Sequence, residues 1–428
     1  MARSSTPQPG KADTRWFVHD RFGMFIHWGL YALAARHEWV KHNERISNEN
    51  YQNYFDLFNP DLYNPREWAR MAREAGMKYF VITTKHHEGF CLWNSKHTDY
   101  KAPKTPYGKD LLKPMVDAFR AEGLHVGFYY SLIDWHHPDF PVDRVHPQRD
   151  DKAFRAQQKH RDVRKYAAYL HNQIRELLTQ FGKIDIMWFD FSYPGEDGKG
   201  RDDWQSEKLI KMVRSLQPGI IVDNRLDLPG KPDFLTPEQY IPAEWPRHED
   251  GSLAVWEGCQ TFSGSWGYHR DETSWKSMPV LVEMLIDHVS KGGNLLLNVG
   301  PTARGEFDMR AQDRLRGFAE WMKRHSRSIY GCGQAPADMP APRDCRYTFN
   351  LTTNRLYVHI LAWPFGGIIL PNMGGRIAYA QLLNDASEIR FHDEKKGGKA
   401  RSTSSDLKLN LPVTKPDVTV PVIELILK

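Results

Sequence analysis

Apolar runs alternate with amphipathic stretches over most of the chain, from about residue 15 to residue 325. The runs predict buried strands at 22–28, 79–85, 125–131, 184–190, 220–225, 256–262 and 294–299. The amphipathic stretches predict helices at 65–76, 112–123, 151–181, 204–216, 279–291 and 308–325. Repeated strand–helix units of this length are typical of a parallel sheet with helical crossovers.

A closed barrel explains this pattern better than an open dinucleotide-binding sheet, because no GxGxxG follows the first strand. We therefore predict an irregular (β/α)8-like TIM barrel over residues 15–335, with one of its eight strands poorly signalled. The chain has 428 residues, which is more than one barrel needs.

The sequence pattern changes after Gly331, where three prolines are followed by short runs of alternating apolar and polar residues, separated by turn residues. This pattern predicts a C-terminal antiparallel β-sandwich over residues 336–428, which we interpret as a structural appendage. Residues 1–14 are polar and predicted to be a disordered lead.

Composition excludes several classes of protein. The net charge of +5 is weak for this length, and the basic run at 395–399 is predicted to be a solvated turn, so a nucleic-acid partner is not expected. No apolar run is long enough to span a membrane, and the start lacks a secretory h-region, which favours the cytoplasm unless a leader was removed. The four cysteines form no CxxC and read as reduced core thiols, although Cys332 and Cys345 are close enough in sequence to pair.

Polar residues stand at the carboxyl ends of several predicted strands, where burial without a partner would be costly. In a parallel barrel these ends share one face, which is where active sites lie. The residues concerned are His27, the run 85–88, Tyr129 and Tyr130, Asp190, the run 223–225, and Asn298.

Asp190 is the most informative of these residues. By the two-residue period of a strand, Ile186, Trp188 and Asp190 share one side, which places Asp190 at the rim of the barrel with Trp188 below it. The alternative is that Asp190 only caps the following loop. The strand-end histidines could instead bind a metal, but adjacent histidines on a strand point apart and no HExxH is present.

Paired carboxylates are the remaining chemistry, and glycoside hydrolysis requires two of them. With Asp190 as the first, the second is open among Glu38, Glu88, Glu238, Glu244 and Glu257. The aromatic content of 12% fits a sugar pocket, because the apolar faces of pyranose rings stack on Trp and Tyr.

The chain resembles the α-L-fucosidases of glycoside hydrolase family 29. The matching stretches occur in order along the barrel region: Trp16-Phe17, 21–28 (RFGMFIHW), His37-Glu38-Trp39, 84–90 (TKHHEGF), 110–112 (DLL), 127–131 (GFYYS), 188–190 (WFD) and 294–301 (NLLLNVGP). The resemblance implies an exo-acting, retaining enzyme that forms a covalent fucosyl intermediate, with Asp190 as its nucleophile.

The resemblance also implies which residues bind fucose. They are His27, Glu38, Trp39, His86, His87, Tyr129, Trp188 and Arg225, to which Trp266 is added as a pocket aromatic. Tyr130 is an adjacent alternative to Tyr129. The acid/base residue is Glu238 or Glu257, and we favour Glu238 because the family tends to place this acid on a variable loop soon after the Arg strand.

The expected partner is a fucosylated oligosaccharide or glycoconjugate, with no cofactor and no metal. Two other classes stay open at this point: a metal-dependent hydrolase on the same barrel, and a non-catalytic fucose-binding protein.

Overall fold

The computed structural model describes residues 12–393 and 406–428, so most of the expected lead at 1–14 and the expected turn at 395–399 lie outside the described residues. The helices are α1 (Arg15–Asp20), α2 (Tyr31–Ala34), α3 (Val40–Asn43), α4 (Asn48–Leu57), α5 (Pro65–Glu74), α6 (Leu112–Ala121), α7 (Lys152–Ala156), α8 (Val163–Gln180), α9 (Arg201–Trp204), α10 (Ser206–Leu216), α11 (Met278–Ser290) and α12 (Met309–His325). Within these described ranges, no helix has the length and apolar character needed to cross a bilayer.

One curled parallel sheet organises the larger part of the molecule. Its strands are β1 (Phe22–Ile26), β2 (Tyr79–Lys85), β3 (His125–Ser131), β4 (Ile186–Asp190), β5 (Ile221–Val222), β6 (Glu257–Thr261) and β7 (Asn294–Val299). They pair in the order β5-β4-β3-β2-β1-β7-β6. Every residue of β1, β2, β4, β6 and β7 is buried, as expected for strands with side chains packed on both faces of a parallel sheet.

The sheet curls towards closure between β5 and β6, where the segment 235–239 fills the place of an eighth strand. Its main chain pairs in parallel with β6: Glu257 N donates to Leu235 O at 2.9 Å, and Cys259 N donates to Pro237 O at 3.1 Å. On the other side it contacts the residues that follow β5, where Thr236 N donates to the side-chain oxygen Asn224 Oδ1 at 3.1 Å. The TIM-like fold class is confirmed. The segment 235–239 takes the place of the eighth strand, for which the sequence shows no clear apolar run.

Two predicted helices are interrupted. The expected helix at 151–181 is wrong as one element, because a 3-10 turn (Gln157–His160) ends the first part and Asp162 caps α8 by accepting from Arg164 N at 2.9 Å. The helix expected at 204–216 breaks at Gln205, whose left-handed φ of 50° separates α9 from α10.

The C-terminal part consists of two antiparallel sheets around their own apolar cluster. The strands are β8 (Cys345–Asn350), β9 (Arg355–Ile360), β10 (Ile368–Leu370), β11 (Ile377–Leu382), β12 (Phe391–Asp393), β13 (Leu407–Leu409) and β14 (Val422–Leu427), in the orders β10-β13-β12 and β11-β14-β9-β8. Strands β8 and β9 pair as an antiparallel hairpin. A domain boundary at residue 335 stays a prediction. Cys332 and Cys345 are buried free thiols.

We expect the fold to lose stability as the pH falls from about 6.5 to about 4. Burial lowers the pKa of His27, His146 and His359 to about 3, and that of His288 and His325 to about 4. Burial also lowers the pKa of His86, His87 and His171. Unfolded histidine binds a proton near pH 6.5, whereas these folded residues stay neutral, so each residue with a folded pKa of about 3 or 4 costs about 1.4 kcal/mol of stability per pH unit below 6.5.

Buried carboxyls act in the opposite direction, because burial raises the pKa of Glu38, Glu88 and Glu257 to about 7. Within the described residues the affected histidines outnumber these acids, so the histidines dominate this pH range. Thermal unfolding measured at pH 7, 6 and 5 should therefore give a falling Tm. A Tm that holds or rises on acidification would contradict the expectation.

Candidate active site

A pocket opens at the carboxyl ends of the parallel strands. It is lined by Phe25, His27, Glu38, Trp39, His86, His87, Tyr129, Trp188, Asp190, Phe191, Arg225, Glu238, Cys259 and Trp266. Of the site residues predicted from the sequence, the structure brings all of them together here except Glu257. The strand ends converge in this way because parallel strands of one curled sheet all point to the same rim.

The carboxylate of Asp190 is held by a hydrogen bond to each oxygen. Arg225 Nη1 donates to Oδ1 at 2.7 Å, and the hydroxyl of Tyr129 donates to Oδ2 at 2.7 Å. His87 Nε2 lies 3.8 Å from Oδ2. The side chain is 12% exposed, so a fixed carboxylate faces the pocket with little water around it.

Glu238 reaches the same pocket from the closing segment 235–239. Its Oε2 accepts a hydrogen bond from Arg225 Nη2 at 2.8 Å, and its side chain is 42% exposed. Arg225 is fixed in turn by Thr236, whose Oγ1 accepts from Arg225 Nε at 3.0 Å. One guanidinium therefore contacts two carboxylates, of which Asp190 is buried and Glu238 is open to solvent.

Glu257 lies in the barrel interior at the start of β6, away from the rim. Its Oε1 accepts from Trp188 Nε1 at 3.2 Å and its Oε2 accepts from the Tyr79 hydroxyl at 2.5 Å. The residue is fully buried, and burial raises the pKa of its carboxyl to about 7. Glu257 thus supports the floor of the pocket from beneath.

Hydrogen bonds define the tautomers of two pocket histidines. Asn298 Nδ2 donates to Trp266 O at 2.6 Å, which turns its Oδ1 towards His27 Nδ1 at 2.6 Å, so that Nδ1 carries the proton. Ser131 Oγ donates to Ile133 O at 2.8 Å, and it therefore accepts from His87 Nδ1 at 2.7 Å. In both neutral rings Nε2 is left as a hydrogen-bond acceptor.

Glu38 and His86 each retain unused hydrogen-bonding capacity. Trp266 N and Gly267 N donate to Glu38 Oε2 at 3.1 and 2.7 Å. Glu38 Oε1 lies 3.1 Å from His37 Nδ1 but makes no hydrogen bond, and His86 Nδ1 has no hydrogen-bond partner among the described residues. Burial raises the pKa of Glu38 to about 7. Buried polar atoms of this kind are suited to the hydroxyl groups of a ligand.

Aromatic rings form the walls and floor. Trp188 lies beneath Arg225, whose Cζ is 4.5 Å from the ring centroid, and Trp266 packs on His27 with centroids 5.1 Å apart. Tyr129 faces the pocket, whereas Tyr130 points outward and donates to Gln173 Oε1 of α8 at 2.7 Å. Of the two tyrosines that the sequence left as alternatives, the strand register therefore places Tyr129 in the pocket and Tyr130 on the outer face of the sheet.

Three lining residues were not predicted from the sequence. Phe25 and Cys259 could have been found by strand alternation, because Phe25 precedes His27 by two positions and Cys259 follows Glu257 by two. Phe191 has a left-handed φ of 80°, which is uncommon for a bulky residue and carries no sequence signal. Its ring contacts His87, with centroids 4.9 Å apart.

The histidines do not gather into a metal-binding set. In the described part of the chain, no group of three or more His, Cys, Asp or Glu side chains is arranged to hold a metal ion. The pocket histidines His27, His86 and His87 lie instead against aromatic rings, and His27 and His87 each have one hydrogen-bond partner.

Comparison with known proteins identifies the family of this chain. The family model described as Alpha-L-fucosidase matches residues 4–327. A plasma alpha-L-fucosidase of Rattus norvegicus is 30% identical over 379 residues, covering 82% of this chain and 78% of that protein.

Solved structures give the same result. Alpha-L-fucosidase isoenzyme 1 from Paenibacillus thiaminolyticus has a TM-score of 0.91 at 47% identity, covering 97% of this chain and 98% of that one. An alpha-L-fucosidase from Bacteroides thetaiotaomicron, trapped as a covalent intermediate with 2-fluoro-fucosyl fluoride, has a TM-score of 0.82 at 28% identity, covering 99% and 98%. This chain belongs to the α-L-fucosidase family, glycoside hydrolase family 29, and is a glycoside hydrolase.

Proposed function

We propose that the chain releases terminal α-L-fucose from fucosylated glycans by double displacement, with Asp190 as the nucleophile and Glu238 as the general acid/base. One observation carries this assignment: two carboxylates of different exposure meet the same guanidinium at the mouth of one pocket. Retaining glycosidases need two carboxyl groups close together on opposite sides of the scissile bond.

In the first step Asp190 attacks the anomeric carbon. The hydrogen bonds from Arg225 and Tyr129 orient its carboxylate, and the restricted access of water favours its role as a nucleophile over that of a base acting on bulk water. Glu238 protonates the glycosidic oxygen of the leaving group as that bond breaks. The product is a fucosyl ester of Asp190 and a free leaving group.

In the second step Glu238, now ionised, takes a proton from water, and this water attacks the anomeric carbon. The ester bond breaks, Asp190 leaves as a carboxylate, and fucose is released with its original configuration. The exposure of Glu238 supports this role, because its carboxyl must meet both a departing group and an entering water.

The remaining predicted residues bind the sugar. His27 and His87 offer Nε2 acceptors, and Glu38 offers a buried oxygen that makes no hydrogen bond, so that hydroxyl groups of one fucose unit can be bound on several sides. Trp39 and Trp266 line the walls, while Trp188 closes the floor. A pocket with a closed floor supports exo action on a terminal residue.

The stereochemistry of the first product tests the proposal. Hydrolysis of 4-nitrophenyl α-L-fucoside, followed by proton NMR within the first turnovers, should give α-L-fucose before mutarotation produces the β anomer. Initial β-L-fucose would reject the double displacement. A parallel reaction with EDTA should proceed at the same rate, and a loss restored by zinc would favour a metal-dependent hydrolase.

A further inference from the structure

A hydrogen-bonded column lies beneath the pocket, along the barrel interior. Glu257 is its centre: one carboxyl oxygen accepts from the indole N–H of Trp188, and the other accepts from the hydroxyl of Tyr79. Asn294 Nδ2 lies 3.4 Å from the same hydroxyl and donates to Phe17 O at 2.8 Å. The column connects the base of the barrel to the floor of the pocket.

Trp188 transmits this anchoring to both groups that hold Asp190. The guanidinium of Arg225 lies over its ring at 4.5 Å, and the ring of Tyr129 stacks on it with centroids 5.7 Å apart at 22°. Each of these two residues donates a 2.7 Å hydrogen bond to Asp190. An indole that rotated or shifted would therefore move both donors together.

The position of Glu257 excludes direct contact with a sugar in the pocket. It is fully buried, it does not line the pocket, and Trp188 stands between it and Arg225. Both of its oxygens are already engaged as acceptors by side chains of the barrel interior. A carboxyl in this place can fix the indole, but it cannot reach a glycosidic oxygen.

We infer that Glu257 is a positioning residue, which holds Trp188 in the orientation that aligns Arg225 and Tyr129 on Asp190. This inference rests on the proposed role of Asp190 as the nucleophile. It assigns to Glu257 a function in the chemical step without contact with the substrate.

The first test compares a conservative and a truncating substitution. Glu257→Gln keeps an oxygen that can accept from Trp188 Nε1, so kcat should stay within a few-fold of the parent. Glu257→Ala removes the acceptor, and kcat should fall by about 10²-fold, the effect of a small misplacement remote from the reacting atoms. KM should change little, because the sugar-binding histidines lie outside the column.

Tyr79→Phe is the matched control. It removes the hydrogen bond to the other oxygen of Glu257 and leaves the bond to Trp188 in place, so kcat should remain near that of the parent. If Tyr79→Phe and Glu257→Ala lower kcat equally, Glu257 is only structural and the inference is overturned. The same holds if Glu257→Ala retains the parent kcat.

Trp188→Phe keeps the test decisive should Glu257→Ala fail to fold. It deletes the indole N–H and should reproduce the loss of kcat. A parent-like kcat in Trp188→Phe would overturn the inference. Where Glu257→Ala folds, the double variant Trp188→Phe/Glu257→Ala should be no slower than Trp188→Phe alone, since residues acting through one contact are not additive. A multiplicative loss in the double variant would overturn the inference.

Failure of this inference can be distinguished from failure of the proposed function. Azide should not restore activity to any Glu257 variant. If it restored Glu257→Ala to near the parent rate, Glu257 would be the acid/base and both assignments would fall. If initial β-L-fucose were observed instead, the proposed function would fail whatever the Glu257 variants did.

Discussion

Replacing Asp190 with alanine is expected to lower kcat on 4-nitrophenyl α-L-fucoside by about 10⁴- to 10⁶-fold, the range seen when a nucleophilic machinery is broken. The reason is chemical: without the carboxylate there is no group fixed by Arg225 and Tyr129 to attack the anomeric carbon. The measurement is release of 4-nitrophenolate at saturating substrate, with Tm recorded for each variant.

Azide provides a second measurement on the same variant. The cavity left by the side chain lies on the face opposite the leaving group, so azide entering it should displace 4-nitrophenol and yield β-L-fucosyl azide, with inversion. Asp185→Ala is a matched control, since Asp185 is a buried aspartate just before the opposite end of β4. It should retain activity in its folded fraction. Turnover by Asp190→Ala near the parent rate would refute the nucleophile assignment.

Replacing Glu238 with alanine is expected to give a different defect. Hydrolysis of a fucosyl disaccharide, whose leaving group needs a proton, should slow by about 10²- to 10⁴-fold, the usual contribution of general acid catalysis. The loss should be smaller for 4-nitrophenyl α-L-fucoside, because nitrophenolate departs without protonation. On that substrate the covalent intermediate should accumulate, visible by mass spectrometry as one added fucosyl unit.

Azide should restore turnover of Glu238→Ala by attacking the fucosyl ester of Asp190, and the product should be α-L-fucosyl azide. The anomer thus separates the two carboxylates: β from the Asp190 variant and α from the Glu238 variant. Glu244→Ala is the control, because Glu244 is exposed, close in sequence and outside the pocket lining. Normal hydrolysis of the disaccharide by Glu238→Ala, or loss in Glu244→Ala alone, would contradict the assignment.

The sequence predicted those elements whose patterns are local. Strands β2, β3 and β7 have the bounds that the apolar runs indicated, because a fully buried parallel strand is a continuous apolar run between polar ends. The ends of the predicted strands were also local features, so the sequence could place the strand-end residues His27, Asp190 and Arg225 at one rim, where the structure has them.

Features that depend on tertiary packing were not predictable in this way. The segment 235–239 contains Pro237 and pairs with β6 through isolated bridges. No alternation of apolar and polar residues therefore indicates that it runs like a strand or that Glu238 lies at the rim. Glu257 lies deep in the barrel because it stands at the start of β6, opposite Asn294 of β7. The sequence alone does not give this pairing register. The choice between Tyr129 and Tyr130 likewise needed the register of β3 with β4.

The shared guanidinium of Arg225 has a consequence for the charge of the site through a catalytic cycle. In the proposed double displacement, Asp190 acts as the anion and Glu238 as the proton donor before the first step, and in the intermediate Asp190 is a neutral ester and Glu238 is the anion. A guanidinium stays protonated throughout. Because Arg225 contacts both side chains, the anionic partner of its guanidinium alternates between Asp190, at Nη1, and Glu238, at Nη2. The cation is thus never left without a counter-ion in a partly buried place, and net charge is conserved without ions entering or leaving.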